Sequence, residues 1–333
     1  MADQERLEAV AGAPPARPRL GTYVEPRQTP NALKEALEQA SLADELGYDS
    51  IWLSQLANME DGPTLAASYC SVTERVGIGV ALVVIYSRHP TSTVQMATTL
   101  DSLSNGRFRL GLSVGHDVTV NWMWGLRPGP PVTAMREYVS IVRQSVESGT
   151  ADVTGDSFTA RWVYHGPRRA GLPILIGAIG PKMLELAGEL GDGVLLWLAS
   201  PAYIRDFVVP HVALGRARAG LGMEGFEVQA GFYVCMTHRV DTARDYLRKT
   251  LAFYSRLPPY RRMLEATGLG QEFAERRISD ATLMEISGIG SGDDIREAVE
   301  RYRQAGCTLP VMAPFPDRER RVPLTDLLRA LRP

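Results

Sequence analysis

The 333-residue chain is 45% hydrophobic and 22% charged, with a formal net charge of −2. It can bury a large core, and it has no basic excess to attract nucleic acid or anionic lipid. Apolar runs such as 80–85 and 194–199 fall far short of the roughly 20 residues that span a bilayer, and Asp3, Glu5 and Glu8 break any leader pattern, so a cytoplasmic protein acting on small molecules is expected.

Residues 1–18 carry Pro14, Pro15 and Pro18 and read as a flexible tail. From 19 to 333 a single domain is expected. Short β-rich runs alternate with helical patterns: strand 19–23, helix 30–46, strand 50–54, a helical segment 62–75, strand 77–85, helix 90–103 and strand 108–113. Val94, Ala97, Leu100 and Leu103 recur at helical spacing, and Asn105-Gly106 supplies the next turn. A helix at 131–148, with Met135, Val139, Val142 and Val146 on one face, precedes a small hairpin around 153–158, which reads as an insertion. The alternation resumes with strand 173–177, helix 181–190, strand 193–197, a helix after Pro201, strand 226–236 and a helix at 241–257. Ser291 is placed to cap a helix running to Ala305, followed by a last strand at 308–313 and a terminal helix at 323–331.

Eight β/α units joined by short turns predict a closed (β/α)8 barrel, an α/β fold, because parallel strands need helical crossovers and closure leaves no edge exposed. A doubly wound sheet fits less well, since no Gly-rich turn follows Tyr23. Cys70, Cys235 and Cys307 are too widely spaced for a disulfide framework or a zinc cluster, so buried free thiols and no metal are expected.

Barrel function lies at the C-terminal ends of the strands. The turn Gly177, Ala178, Ile179, Gly180 opens a helix whose N–H groups and dipole suit a phosphate, with Lys182 nearby; a plain tight turn is the other reading. His116 follows Gly115 at the end of the fourth strand, either as a general acid or as a structural histidine. Asn121, Trp122 and Trp124 follow it, as a cap on the barrel or a surface for a ring. Tyr86 and His89 are candidates for substrate contact, although His89 also suits a helix start. Glu25 and Gln55 complete a polar rim. No HExxH pair, Walker loop, GxSxG elbow or CxxC occurs, which leaves a redox cofactor as the economical source of chemistry.

The segments GIGVALVVIYSRHP at 77–90 and QMATTLDSLSNGRFRLGLSVG at 95–115 resemble the luciferase-like monooxygenase superfamily. So do GYDSIWL at 47–53, MREY at 135–138, GPKML at 180–184, LAGELGDG at 186–193 and PYRRML at 259–264. The branch using coenzyme F420, a deazaflavin, is the most similar, over about 19–316. The resemblance implies a luciferase-like TIM barrel with insertions, a homodimer, and F420 as cofactor, with FMN and monooxygenase chemistry as the alternative. It implies a non-proline cis peptide at Ala81-Leu82 behind the ring with Val83 and Val84 beside it, phosphate at 177–180, and His116 and Asn121 near the ring's polar edge. Gln55 falls where relatives often carry an acid contacting the cofactor. Leu56 stands where the alcohol and sugar-phosphate dehydrogenases of the family carry a catalytic His. Reduction is therefore expected, with hydride passing from deazaflavin C5 to a C=C or C=N bond and His116 or solvent supplying the proton. A barrel that binds a flavin-like ligand without turning it over is a third reading.

Overall fold

The computed structural model describes residues 18–26, 29–275, 277–316 and 322–333. Most of the expected tail, residues 1–17, lies outside the described residues. The strands are β1 Gly21–Tyr23, β2 Ser50–Ser54, β3 Gly77–Val84, β4 Phe108–Ser113, β5 Thr150–Thr154, β6 Thr159–Val163, β7 Ile174–Gly177, β8 Gly193–Trp197, β9 Glu227–Met236, β10 Ser287–Gly290 and β11 Leu309–Pro314. Eight of them close a parallel barrel in the order β1, β2, β3, β4, β7, β8, β9, β11, with Gly21 of β1 registered against Val311 of β11. Closure rules out a doubly wound sheet.

The helices form the outer layer because each buries one apolar stripe against the strands. Ala36, Ala40 and Ala43 bring helix Ala32–Leu46 close, and Met135, Tyr138, Val139 and Val142 do the same for helix Pro131–Ser148. Helix starts follow local chemistry: the Asp61 side chain accepts from Thr64 N–H, and Ser291 forms a reciprocal capping box with Asp294. The expected helix at 62–75 ends earlier, at Cys70, where Asp44 accepts from the N–H groups of Glu74, Arg75 and Val76 and turns the chain into β3.

The insertion is the antiparallel hairpin β5–β6, longer than expected, with its turn at 155–158. Glu137 anchors that turn by accepting from the N–H groups of Asp156, Ser157 and Phe158 at 2.9–3.0 Å. β10 is an addition to the sequence reading. It runs along the edge of β9 beyond the point where β8 leaves it, β8 pairing up to Gly231 and β10 from Tyr233 to Met236. Between helix Val240–Tyr254 and helix Asp280–Ile286 lie two further helices, Pro258–Ala266 and Gly270–Ala274. Cys70 and Cys307 are buried free thiols, and Cys235 is buried as well.

Alternate strand residues fill the barrel's interior. At the N-terminal end Arg19 and Arg109 bridge Asp49 and Glu227 at 2.6–3.2 Å, a four-membered ionic floor. Above it lie Trp52, Leu175, Leu195, Leu309 and Val311. The Trp52 indole lies against Gly79, where a Cβ would come within 2.3 Å of the ring, and it donates to Ser50 Oγ at 2.9 Å.

Candidate active site at the barrel mouth

β3 carries a bulge between Val80 and Val83, and the Ala81-Leu82 peptide within it is cis, as the resemblance implied. Two glycines on neighbouring strands make room for it. A Cβ at Gly111 of β4 would lie 2.5 Å from the Val80 carbonyl oxygen, and one at Gly177 of β7 would lie 2.6 Å from Leu82 Cδ1. Leu82 therefore occupies the volume that side chains on β4 and β7 would otherwise take.

The chain leaves β4 through Gly115, whose φ of +69° suits glycine, and whose added Cβ would meet Val84 and Val120. The carbonyl of the next residue, His116, accepts from Thr119 and Val120 N–H and starts the π-helical turn Val118–Met123. The His116 ring is half-buried and lies 5.6 Å from the Tyr260 ring. Burial lowers its pKa from the usual 6.5, only partly opposed by the charge of Asp117, so the imidazole is neutral near pH 7.

The loop after β7 delivers Gly177, Ala178, Ile179 and Gly180 to the same mouth. Gly180 caps helix Pro181–Leu190 with extended backbone, no side-chain cap and no acidic residue in the first turn. A Cβ there would meet nothing within 4 Å, and Lys182 is exposed. Tyr203 holds the loop by donating to the Ile179 carbonyl at 2.8 Å. The first N–H groups of such a helix have no intrahelical acceptor and face a positive dipole end.

The other proposed residues are distributed unevenly. Gln55 Oε1 accepts from Gly62 N–H at 2.7 Å, tying the loop after β2 to the next helix, and Glu25 accepts from Ser54 N–H at 3.0 Å. Leu56 is 53% exposed. Asn121 and Trp122 point outward, Trp122 at 77% exposure, whereas Trp124 is half-buried. Tyr86 stacks on Phe158 of the insertion, and His89 caps helix Pro90–Leu103 while its ring bridges Thr91 Oγ1 and the Thr159 carbonyl. Both side chains thus touch the hairpin.

What the sequence reading did not find is an aromatic wall. Tyr23 at the end of β1 meets Trp197 at the end of β8 with ring centroids 5.6 Å apart, and Trp197 meets Tyr233 of β9 at 5.0 Å. Tyr254 lies 6.5 Å from Trp197 and 5.1 Å from Tyr260, so helix Pro258–Ala266 covers this side of the mouth. The strand order divides the mouth in two. β3, β4 and β7 supply the bulge, His116 and the 177–180 loop; β8, β9 and β1 supply the aromatic rings.

The family model for luciferase-like monooxygenases matches residues 15–309. The chain belongs to that family. Among its curated relatives is the 5,10-methylenetetrahydromethanopterin reductase of Archaeoglobus fulgidus, 29% identical over 307 residues, covering 85% of this chain and 91% of the relative. A Mycobacterium tuberculosis protein, named as a coenzyme F420-dependent oxidoreductase, is 30% identical over 313 residues, covering 83% and 89%. The solved coenzyme F420-dependent tetrahydromethanopterin reductase from Methanopyrus kandleri shares the fold with a TM-score of 0.79 at 22% identity, covering 94% of this chain and 97% of that one. Among the described residues no helix is long and apolar enough to cross a membrane, and no cluster of His, Cys, Asp or Glu could hold a metal ion.

Proposed function

We propose that this protein is a coenzyme F420-dependent oxidoreductase that reduces a C=C or C=N bond of a small organic substrate. The name of its Mycobacterium tuberculosis relative supports the cofactor, and that of its Archaeoglobus fulgidus relative supports a reductase. The observation that carries the reading is the juxtaposition, on three adjacent strands, of the β3 bulge, the His116 loop and an uncapped helix N-terminus at Gly180.

These residues fit a deazaflavin. The apolar residues of the Ala81-Leu82 bulge, with Val84 beside them, would back one face of a ring system. Gly177, Ala178, Ile179 and Gly180 allow close backbone approach, and the uncapped N–H groups with Lys182 favour a phosphate. When bound, the reduced cofactor supplies a hydride. His116, neutral and half-buried beside Tyr260, would orient the substrate's polar atom through a hydrogen bond, and the proton for reduction would come from solvent or from the minor imidazolium form of this ring. Leu56 offers no imidazole for alcohol oxidation, which favours reduction.

The test is to add reduced coenzyme F420 to purified protein with a panel of enones and imines and to follow formation of oxidised F420. Acceptor-dependent oxidation is expected. No turnover across the panel contradicts the proposal, and co-purification of FMN with oxygen-dependent turnover puts the monooxygenase reading in its place. A homodimer belongs to the same proposal, and a monomeric mass by light scattering removes it.

A further inference from the structure

The turn that opens helix Pro181–Leu190 is held from behind by one side chain. After Trp197 the chain passes through Leu198 at φ +57°, a conformation uncommon for leucine, and Ser200 Oγ accepts from Tyr203 N–H at 3.1 Å to start the next helical segment. Tyr203 is buried, its ring stacks on Phe207 with centroids 4.8 Å apart, and its hydroxyl donates to the Ile179 carbonyl at 2.8 Å. Burial pushes the pKa of that hydroxyl up, so it stays a donor across the neutral range.

The Ile179 carbonyl and the Gly180 N–H belong to one planar peptide unit. It is trans, so the two groups point in opposite directions. With the carbonyl turned to buried Tyr203, the N–H is turned away from it. Gly180 is exposed, and its N–H meets no acceptor among the described residues. Half a turn of this unit would exchange the two groups and put a carbonyl oxygen where the donor stands. Such a flip carries Gly180 from φ −82° to positive φ, with ψ remaining at 161°, a region that almost only glycine enters. Gly180 therefore permits the flip, and the Tyr203 hydroxyl opposes it.

We propose that Tyr203 is the positioning residue of the phosphate-binding turn, its hydroxyl locking the 179–180 peptide with the Gly180 N–H facing the anion. This rests on the proposed function and deepens it by adding a residue outside the turn. An N–H facing a phosphate oxygen makes a charge-assisted hydrogen bond, whereas a carbonyl oxygen in its place repels the anion. Tyr203 acts through the backbone of the turn and not on the ligand.

The probes are coenzyme F420 and coenzyme F0, which has the same ring and ribityl chain without the phosphate and what it carries, each titrated into the protein by fluorescence. Tyr203→Phe removes the hydroxyl and keeps the ring that stacks on Phe207. It should weaken F420 by about tenfold. F0 affinity should be unchanged, which also reports an intact site. In the Gly180→Ala background the flipped peptide is excluded, so Tyr203→Phe should cost F420 affinity less than about threefold. Equal weakening of both probes, unchanged F420 affinity, or the same loss in both backgrounds overturns the inference while F420 binding by the wild type leaves the proposed function standing. Wild-type protein that binds neither probe removes the proposed function, and the inference with it.

Discussion

The imidazole of His116 and the phenol ring of Tyr260 lie 5.6 Å apart, centroid to centroid, with their planes inclined by 54°. His116 follows β4 and Tyr260 belongs to helix Pro258–Ala266, so this contact joins the half of the mouth that carries the bulge to the helix covering the aromatic half.

Burial of that imidazole makes stability depend on pH. Burial lowers the folded pKa of His116 below the ordinary 6.5, Asp117 opposing only in part, so the unfolded chain binds a proton that the native state sheds. The stabilisation is complete above 6.5 and is lost as pH falls through the folded value. His116→Gln cannot titrate. In urea unfolding, wild type should lose more stability than this variant between about pH 7.5 and about pH 5. Parallel losses would show that the imidazole is not desolvated.

The ionic floor should matter for folding and not for the cofactor. Glu227 accepts from Arg19 and Arg109 at 2.6 and 3.0 Å, at the end of the barrel opposite the mouth. Glu227→Ala leaves two guanidinium groups sharing Asp49 alone, at an expected cost of about 2–4 kcal/mol, the lower end reflecting the partial exposure of Arg19. Chemical denaturation measures the cost, and an F420 titration should show unchanged affinity. A large loss of affinity in well-folded variant would contradict the separation of floor from site.

The insertion depends on one carboxylate. Partial burial alone would raise the Glu137 pKa, but the N–H groups of Phe158, Ser157 and Asp156 outweigh it and hold the group below its ordinary 4.5. Glu137→Ala should cost about 1–3 kcal/mol. The wild-type advantage should be complete above 4.5 and disappear as pH falls through the folded value. An advantage independent of pH would place the effect elsewhere than in the carboxylate.

Much of this architecture is legible in sequence because barrel strands are short apolar runs bounded by turn residues, and β1, β2, β4, β7 and β8 all end where those runs end. The Ser291 cap is legible from Ser291 and Asp294 alone. β10 is not, because Ser287–Gly290 is four residues with two glycines and no alternation, and it is a strand only through its pairing with β9. The aromatic wall was hidden for a different reason. Tyr23, Trp197 and Tyr233 sit in separate runs, and only barrel closure brings their inward faces together. The usable signal was small-then-aromatic alternation, Gly21 before Tyr23 and Gly231 before Tyr233. For Tyr86 and His89 the sequence hides a contact instead, since a position near a strand end says nothing about the hairpin that packs against them.

Gly180 separates fold stability from ligand charge. Its backbone is extended and its Cβ direction is open, so aspartate fits there as a helix cap. Gly180→Asp should leave stability unchanged or raise it by a few tenths of a kcal/mol. It should weaken F420 binding by about tenfold, because the new carboxylate takes the N–H groups and repels a phosphate. Unchanged affinity would place the phosphate elsewhere.

The central claim is that this mouth holds a deazaflavin, and titrating the purified protein with coenzyme F420 and with FMN while following fluorescence tests it most directly. Saturable binding of F420, tighter than that of FMN and weakened by Gly180→Asp, is the predicted result. Preferential binding of FMN, or no saturable binding of F420, would contradict it.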